Sequence, residues 1–221
     1  KNHGDNKAMI SSRNRFLNQG YYEFLVQQCV QLLKPYNPSS MIDVGCGQGY
    51  YTQRVSETLS IWDCLGIDLS KEAIIKASKN SKTIQYVIAS IASCPVMDQS
   101  YDVLLNMFAP KFIEECVRVV KDGKYLLFID VGPNHLLEMK RELYQKVNMN
   151  QLEPIDHEKL VKIDEKLISS KAKVKRKDLQ DLLAMTPYQY KTSPQSIDKF
   201  LRLQELAITF EFVIRLYQKK G

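Results

Sequence analysis

Long apolar runs are the first thing this 221-residue chain lacks. No stretch approaches the roughly 18 uninterrupted apolar residues that a membrane-crossing helix requires, so no membrane partner is expected. No charged-then-apolar secretory pattern opens the sequence either. Disulfide frameworks are also missing. The five cysteines (Cys29, Cys46, Cys64, Cys94 and Cys116) lie far apart with no C-x-x-C pair. An odd, scattered set of that kind predicts reduced thiols and a cytoplasmic protein. The three histidines, His3, His135 and His157, are equally dispersed, so no metal site is expected within these residues.

Charge is present, and it is unevenly placed. Lys and Arg number 31 against 25 Asp and Glu, a surplus of six. The segment 159–177 holds eight basic residues (Lys159, Lys162, Lys166, Lys171, Lys173, Lys175, Arg176 and Lys177) against Asp164 and Glu165. Its net charge therefore equals the surplus of the whole chain. Charge runs are most often solvated surface. The competing reading is a patch for a polyanion such as RNA backbone.

The middle of the chain alternates by type. "SMIDVG", "CLGIDLS", "IQYVIAS", "YDVLLNMF" and "KYLLFIDVG" read as strands, and "YYTQRVSETL", "KEAIIKASKN" and "KFIEECVRVV" as helices. Such alternation predicts right-handed βαβ units and an α/β, doubly wound, mostly parallel sheet. Residues 1–36 read as an N-terminal helical arm, interrupted at Gly20 and ended by Pro35. Residues 37–221 read as the main domain, with a less regular basic insertion at about 150–186. "MTPYQY" reads as a possible strand that pairs with the closing "ITFEFVIRLYQK" and completes seven strands.

"MIDVGCGQGYYT" ends the first strand with Gly45, Gly47 and Gly49. In an open parallel sheet, ligands sit outside the carboxyl ends of the strands, and the first βα turn is the usual cradle. Side chains there would block close approach to the backbone, which explains the glycines. The dinucleotide fingerprint G-x-G-x-x-G fails, because Tyr50 stands where its last glycine belongs. A Walker loop fails for want of G-K-[ST].

What "IDVGCGQG" resembles is the first motif of class I S-adenosylmethionine-dependent methyltransferases, whose fold is Rossmann-like. The resemblance places the cofactor on Asp43, Gly45, Gly47 and Gly49. It also implies that Asp68, 19 residues after Gly49, accepts from the ribose hydroxyls. Where the family usually has an acid beside the adenine, "VIASIAS" offers Ala89 and Ser90, so Ser90 is the candidate there. "CVRVVKDGKYLL" resembles the family's R-V-L-K-P-G-G turn, with Asp122 and Lys124 as departures.

A closer resemblance covers nearly the whole chain. "NHGDNKAMISSRNRFLNQGYYEFL", "FAP", "GPNHLLEMK" and "MTPYQY" are similar to the bacterial 23S ribosomal RNA guanine-N1 methyltransferases. That resemblance implies cofactor contacts from Tyr22, Gly47, Gln48 and His135. Each has an ordinary alternative: Tyr22 as core packing, His135 as a helix-start residue. The family also carries an N-terminal zinc module that these residues lack, so zinc is expected only outside this chain. The implied partner is a hairpin of 23S ribosomal RNA, with a homodimer as a further possibility. Lys171, Lys173, Lys175 and Arg176 are the candidates for RNA contact. Near the fourth strand, Asn106 is a candidate for orienting the guanine edge and Phe108 for stacking on the base, with core packing the alternative for Phe108. The catalytic base is not identified. Two rival functions stay open: a small-molecule methyltransferase, which would not need the basic segment, and an RNA-binding module with a vestigial cofactor pocket.

Overall fold

The computed structural model describes residues 7–221; residues 1–6, with His3 and the start of the arm, lie outside the described residues. Seven strands form one sheet: β1 (Ser40–Val44), β2 (Asp63–Asp68), β3 (Gln85–Ile88), β4 (Tyr101–Met107), β5 (Val120–Val131), β6 (Leu160–Lys175) and β7 (Glu205–Lys219). Their order is β3-β2-β1-β4-β5-β7-β6. The first five run parallel, while β7 is antiparallel to both its neighbours. The direction of winding reverses between β1 and β4, which is where open α/β sheets bind ligands.

The helices are α1 (Lys7–Leu17), α2 (Glu23–Leu33), α3 (Tyr50–Leu59), α4 (Lys71–Asn80), α5 (Ile113–Val119), α6 (Leu137–Leu143), α7 (Arg176–Ala184), α8 (Tyr188–Lys191) and α9 (Pro194–Leu201). Strands β1 and β4 are buried on both faces, as their near-continuous apolar sequences require. Successive β4 side chains serve opposite clusters. Val103, Leu105 and Met107 join Phe16, Leu25 and Leu33 of the arm helices, whereas Leu104 packs with Cys116 and Val119 of α5. The arm is thus part of the main core. Gly20, at φ +84°, makes the bend between α1 and α2.

Two features differ from the sequence reading. "MTPYQY" is not a strand: Met185 caps α7, Pro187 precedes the single turn α8, and Tyr188–Lys191 is helical. Proline at a helix start is pre-organised for that role and lacks the donor a strand needs. The strand beside β7 is instead the basic segment itself, β6, which is regular rather than irregular. In "KAKVK", Ala172 and Val174 pack inward while Lys171, Lys173 and Lys175 are exposed, a period-two pattern on an open sheet edge. Lysines are a common guard on such edges.

Register fixes where the basic strand lies. Val131, the last residue of β5, is opposite Phe212, and Phe212 is opposite Ile168. Residues 169–175 therefore project beyond the carboxyl end of β5, on the side of the glycine loop.

Candidate functional site

The loop after β1 is shaped by its neighbours. The Gly45 and Cys46 amides both donate to the Ile67 carbonyl (2.8 and 3.0 Å), and the Gly49 amide donates to Cys46 O. Gly47 N–H donates to an Asp68 carboxylate oxygen at 2.9 Å, while the other oxygen accepts from Ser70 N–H at 2.7 Å. The three glycines serve different purposes. A Cβ on Gly45 would meet Ala109 at 2.5 Å, and one on Gly49 would strike the Tyr86 hydroxyl. A Cβ on Gly47 would meet nothing within 4 Å. Gly47 borders open space, and all three have positive φ.

That space is a cavity of about 240 Å³. Tyr22, Asp43, Gly45, Gly47, Gln48 and His135 all line it, as does Phe108. Gly49, Asp68, Ser90 and Asn106 do not. Tyr22 comes from the arm and His135 from the turn after β5, yet the Tyr22 hydroxyl is 3.4 Å from His135 Nε2. Both are buried, and Tyr22 also packs edge-on against Phe210 and Phe212.

His135 is held by β7. Its Nδ1 accepts the Glu211 backbone N–H at 3.2 Å, so the neutral ring carries its proton on Nε2 and donates to Tyr22. Burial pushes its pKa down to about 3, so the ring is neutral at physiological pH. The Tyr22 hydroxyl proton is then left to point elsewhere. Glu211 also builds the turn: its carboxylate accepts the Asn134 backbone N–H at 2.7 Å, and a Cβ on Gly132 would collide with it. Nothing in the sequence pattern marks Glu211, because its task depends on β7 lying beside β5.

Asp43 is fully buried. Thr52 donates to its Oδ2 at 2.5 Å, but Oδ1 has no partner. Burial first, then the nearby Asp68 charge, pushes its pKa up to about 7, against the Thr52 hydrogen bond. Gln48 is buried with neither amide atom paired. Buried polar atoms are nearly always satisfied, so unpaired ones on a cavity wall fit a polar ligand. An unpaired carboxylate oxygen, an unpaired amide and an open glycine together fit the cationic and amino-acid parts of S-adenosylmethionine. Asp68 stands outside the cavity at the adjoining strand end. Leu69 and Ile88, half exposed beside it, offer an apolar surface to a flat ring.

The remaining candidates divide. Phe108 is 40% exposed and has φ +61°, a conformation costly for a bulky residue and frequent at functional sites. Asn106 faces away from the cavity; its Nδ2 donates to the Pro110 carbonyl at 3.2 Å, shaping the loop after β4. Ser90 Oγ accepts the Ala92 N–H within its own turn. Arg13 and residues 185–187, which belong to the runs "NHGDNKAMISSRNRFLNQGYYEFL" and "MTPYQY" but had no individual role assigned, also line the cavity. Lys171, Lys173, Lys175 and Arg176 do not line it, although Lys171 lies opposite Thr209, whose carbonyl accepts the Leu136 N–H next to His135. Lys171 and Lys173 reach Glu138 (3.7 Å) and Glu205 (2.8 Å) in exposed ion pairs of the weak, exchangeable kind.

Residues 42–128 match the family described as a methyltransferase domain. A putative 23S rRNA (guanine-N(1)-)-methyltransferase, YxjB of Bacillus subtilis, is 29% identical over 150 residues, covering 62% of this chain and 51% of its own length. A putative 23S rRNA (guanine-N(1)-)-methyltransferase of Micromonospora griseorubida is 21% identical over 96% of this chain and 79% of its own. A malonyl-[acyl-carrier protein] O-methyltransferase of Coxiella burnetii is 33% identical over 47% of the chain and 37% of its own. The chain thus spans about half the length, or less, of several curated relatives it matches. Among solved structures, a putative methyltransferase from Haloferax volcanii, complexed with the Trm112 activator, superposes with a TM-score of 0.60 at 14% identity, covering 99% of this chain and 100% of that one.

Proposed function

We propose that the chain is an S-adenosylmethionine-dependent methyltransferase that methylates N1 of a guanine in a hairpin loop of 23S ribosomal RNA; its sheet order and the methyltransferase-domain match over residues 42–128 support the reading. The observation that carries this reading is the meeting of Tyr22, Gly47, Gln48 and His135 at one cavity. These positions were singled out by resemblance to the guanine-N1 enzymes, and the relatives matched over most of the chain bear the same description.

S-adenosylmethionine, when bound, supplies a methyl group already activated on a sulfonium. The protein's task is to align donor and acceptor, which is an orientation effect. Asp43 and Gln48 would receive the polar end of the donor, and Asp68, just outside the cavity, its ribose. Phe108, at the mouth, would stack on a base turned out of its loop. The projecting end of β6 would hold backbone phosphates without reading sequence, leaving selection of the base to the loop's shape.

Transfer of labelled methyl from S-adenosylmethionine to ribosomal RNA of a strain lacking the gene, with nucleoside analysis, tests the proposal. The expected product is 1-methylguanosine. Label in any other nucleoside, or none in RNA, would sink it. A small-molecule acceptor is the second reading, favoured by the match to an acyl-carrier-protein O-methyltransferase; it predicts full activity after loss of the basic strand charges.

A further inference from the structure

Two further hollows adjoin the cofactor cavity and share its walls. The first, of about 470 Å³, is bounded by α1, α3 and the end of α4; Gln48 and Tyr50 line both it and the cofactor cavity. The second, of about 280 Å³, lies between α1 and α4, and Asn14 lines both it and the first. Together they make a track beside the arm that ends at the glycine loop. From Lys7 to Asn18 the arm covers about 16 Å at 1.5 Å per residue, the length of a few nucleotides of single strand.

The chemistry changes along this track. At the α1–α4 end stand Lys7, Lys76 and Lys79 against the carboxylate of Glu72, while Arg15 there is tied to Asp181. Neither Lys76 nor Lys79 has an ion-pair partner among the described residues. In the middle, Asn14 and Asn80 present amides, and the Arg54 guanidinium lies 3.8 Å above the Tyr50 ring. Glu57, a carboxylate of this stretch, accepts from Gln53 at 2.8 Å. At the cavity end stands Gln48, 3% exposed with neither amide atom paired. A buried amide without partners is costly, so it marks a wall that a ligand completes. Cations, then amides beside a stacked guanidinium, answer in turn the phosphates, base edges and base faces of a single-stranded nucleic acid. An acidic peptide would satisfy the lysines and leave the guanidinium without a flat partner. A small metabolite would fill one hollow and leave the other empty.

Resting on the RNA reading above, we propose that this track holds the strand flanking the target base. Lys76 and Lys79 take phosphates, Arg54 stacks a base on the face turned from Tyr50, and Asn14 and Asn80 bond to base edges. Gln48 divides the strand from the cofactor. The basic strand lies elsewhere: β6 is the edge at one end of the sheet, whereas α4 packs on β2 and β3 at the other. The RNA is therefore gripped on two sides of the cofactor site. Phosphate contacts at β6 carry no sequence information, while amides and stacking along the arm favour particular flanking bases.

The test measures binding of ribosomal RNA, from a strain lacking the gene, to the parent and to the double variant Lys76→Ala, Lys79→Ala at low and high salt. Neither lysine lines the cofactor cavity. The expected result is a roughly tenfold fall in RNA affinity at low salt that narrows as salt rises, because two phosphate contacts and their counterion release are gone. Lys76→Arg with Lys79→Arg should bind as the parent does. Arg54→Lys, which keeps the charge and loses the flat face, should weaken RNA binding by roughly tenfold. S-adenosylmethionine affinity should stay within about twofold in the lysine variants. Parental RNA affinity in the double alanine variant would overturn the proposal, and so would a loss that arginine does not restore. Tenfold loss of S-adenosylmethionine affinity in that variant would assign the track to the donor and overturn it equally. Thermal midpoints exclude misfolding, and Lys79→Glu, at the exposed position, carries the test if the double variant does not fold. Methyl transfer by the parent separates the two failures: if it makes no 1-methylguanosine, the underlying reading fails, and this assignment with it.

Discussion

One wall of the cavity comes from a single short run, residues 43–51; the facing wall is assembled from the arm, the ends of β4 and β5 with the turns after them, residues 185–187 and Phe212 of β7. The loop wall is held by backbone hydrogen bonds to β2, and Gly45 and Gly49 are required by the close approach of Ala109 and Tyr86, while Gly47 leaves the cavity open. The remote wall is held by side chains and by strand insertion: Tyr22 against His135, His135 against the Glu211 backbone, Arg15 against Asp181. A backbone-built wall fails all at once, and a side-chain-built wall fails by degrees.

Substitutions break that contrast in a definite order. Gly47→Val should have the largest effect, a fall in S-adenosylmethionine affinity of about hundredfold or more by calorimetry. The valine fills open space and adds a left-handed strain of about 1–2 kcal/mol. Gly49→Ala collides with Tyr86 instead, so its loss should appear first as a lowered thermal midpoint. If Gly47→Val binds as the parent does, the cavity is not the cofactor site.

On the remote wall, Tyr22→Phe and His135→Ala should each weaken the cofactor by about tenfold, and together by less than the product, because they share one hydrogen bond. Fully additive losses would separate the two residues. Glu211→Ala should reproduce the His135 effect without touching ligand, through the turn it holds.

pH sharpens the comparison further. Asp43 has its pKa raised in the folded protein from 3.8 to about 7. A raised carboxyl contributes stability that is complete below the unfolded value and is lost as pH climbs through the folded one. Between about pH 4 and pH 7 the unliganded parent should therefore lose stability relative to Asp43→Asn. A cationic ligand reverses the preference. S-adenosylmethionine affinity should rise with pH up to about 7, by at most tenfold per unit, and Asp43→Asn should flatten that slope. A parent with pH-independent affinity would exclude contact between Asp43 and the cationic centre.

The smallest expected effect on the cofactor is none. Replacing Lys171, Lys173, Lys175 and Arg176 by Ala should leave S-adenosylmethionine affinity alone while weakening RNA binding. With four contacts, the parent's log K should fall with log salt at a slope near −3, from about −0.7 per contact, and the variant's should be flatter. Unchanged RNA affinity and slope would return this strand to the role of edge guard.

How much was legible follows the same division. The glycine loop could be read because its requirements are local: an apolar run, alternating glycines and an acid at the next strand end. Tyr22 and His135 were found only through family resemblance, since no spacing rule links positions 113 apart. Glu211 carried no signal, because it acts through strand order. The β6 strand was readable from the alternation in "KAKVK", but its charge drew the reading toward an irregular segment. The aromatic content of "MTPYQY" suggested a strand where Pro187 in fact begins a turn of helix.

Strand order also has a consequence for how the molecule comes into being. β7 is synthesised after both β5 and β6, yet it sits between them in the sheet. Tyr125 waits for Gln218, and Leu160 for Lys219, so these pairings close loops of more than fifty residues. Such non-local pairings form slowly. While the nascent chain is incomplete, β5 has an open edge and β6 has no neighbour in the sheet. The lysines that face solvent in the finished protein then also protect this waiting strand from pairing with other chains. The Tyr22–His135 contact cannot be oriented until Glu211 arrives, so cofactor competence should appear only after β7 leaves the ribosome.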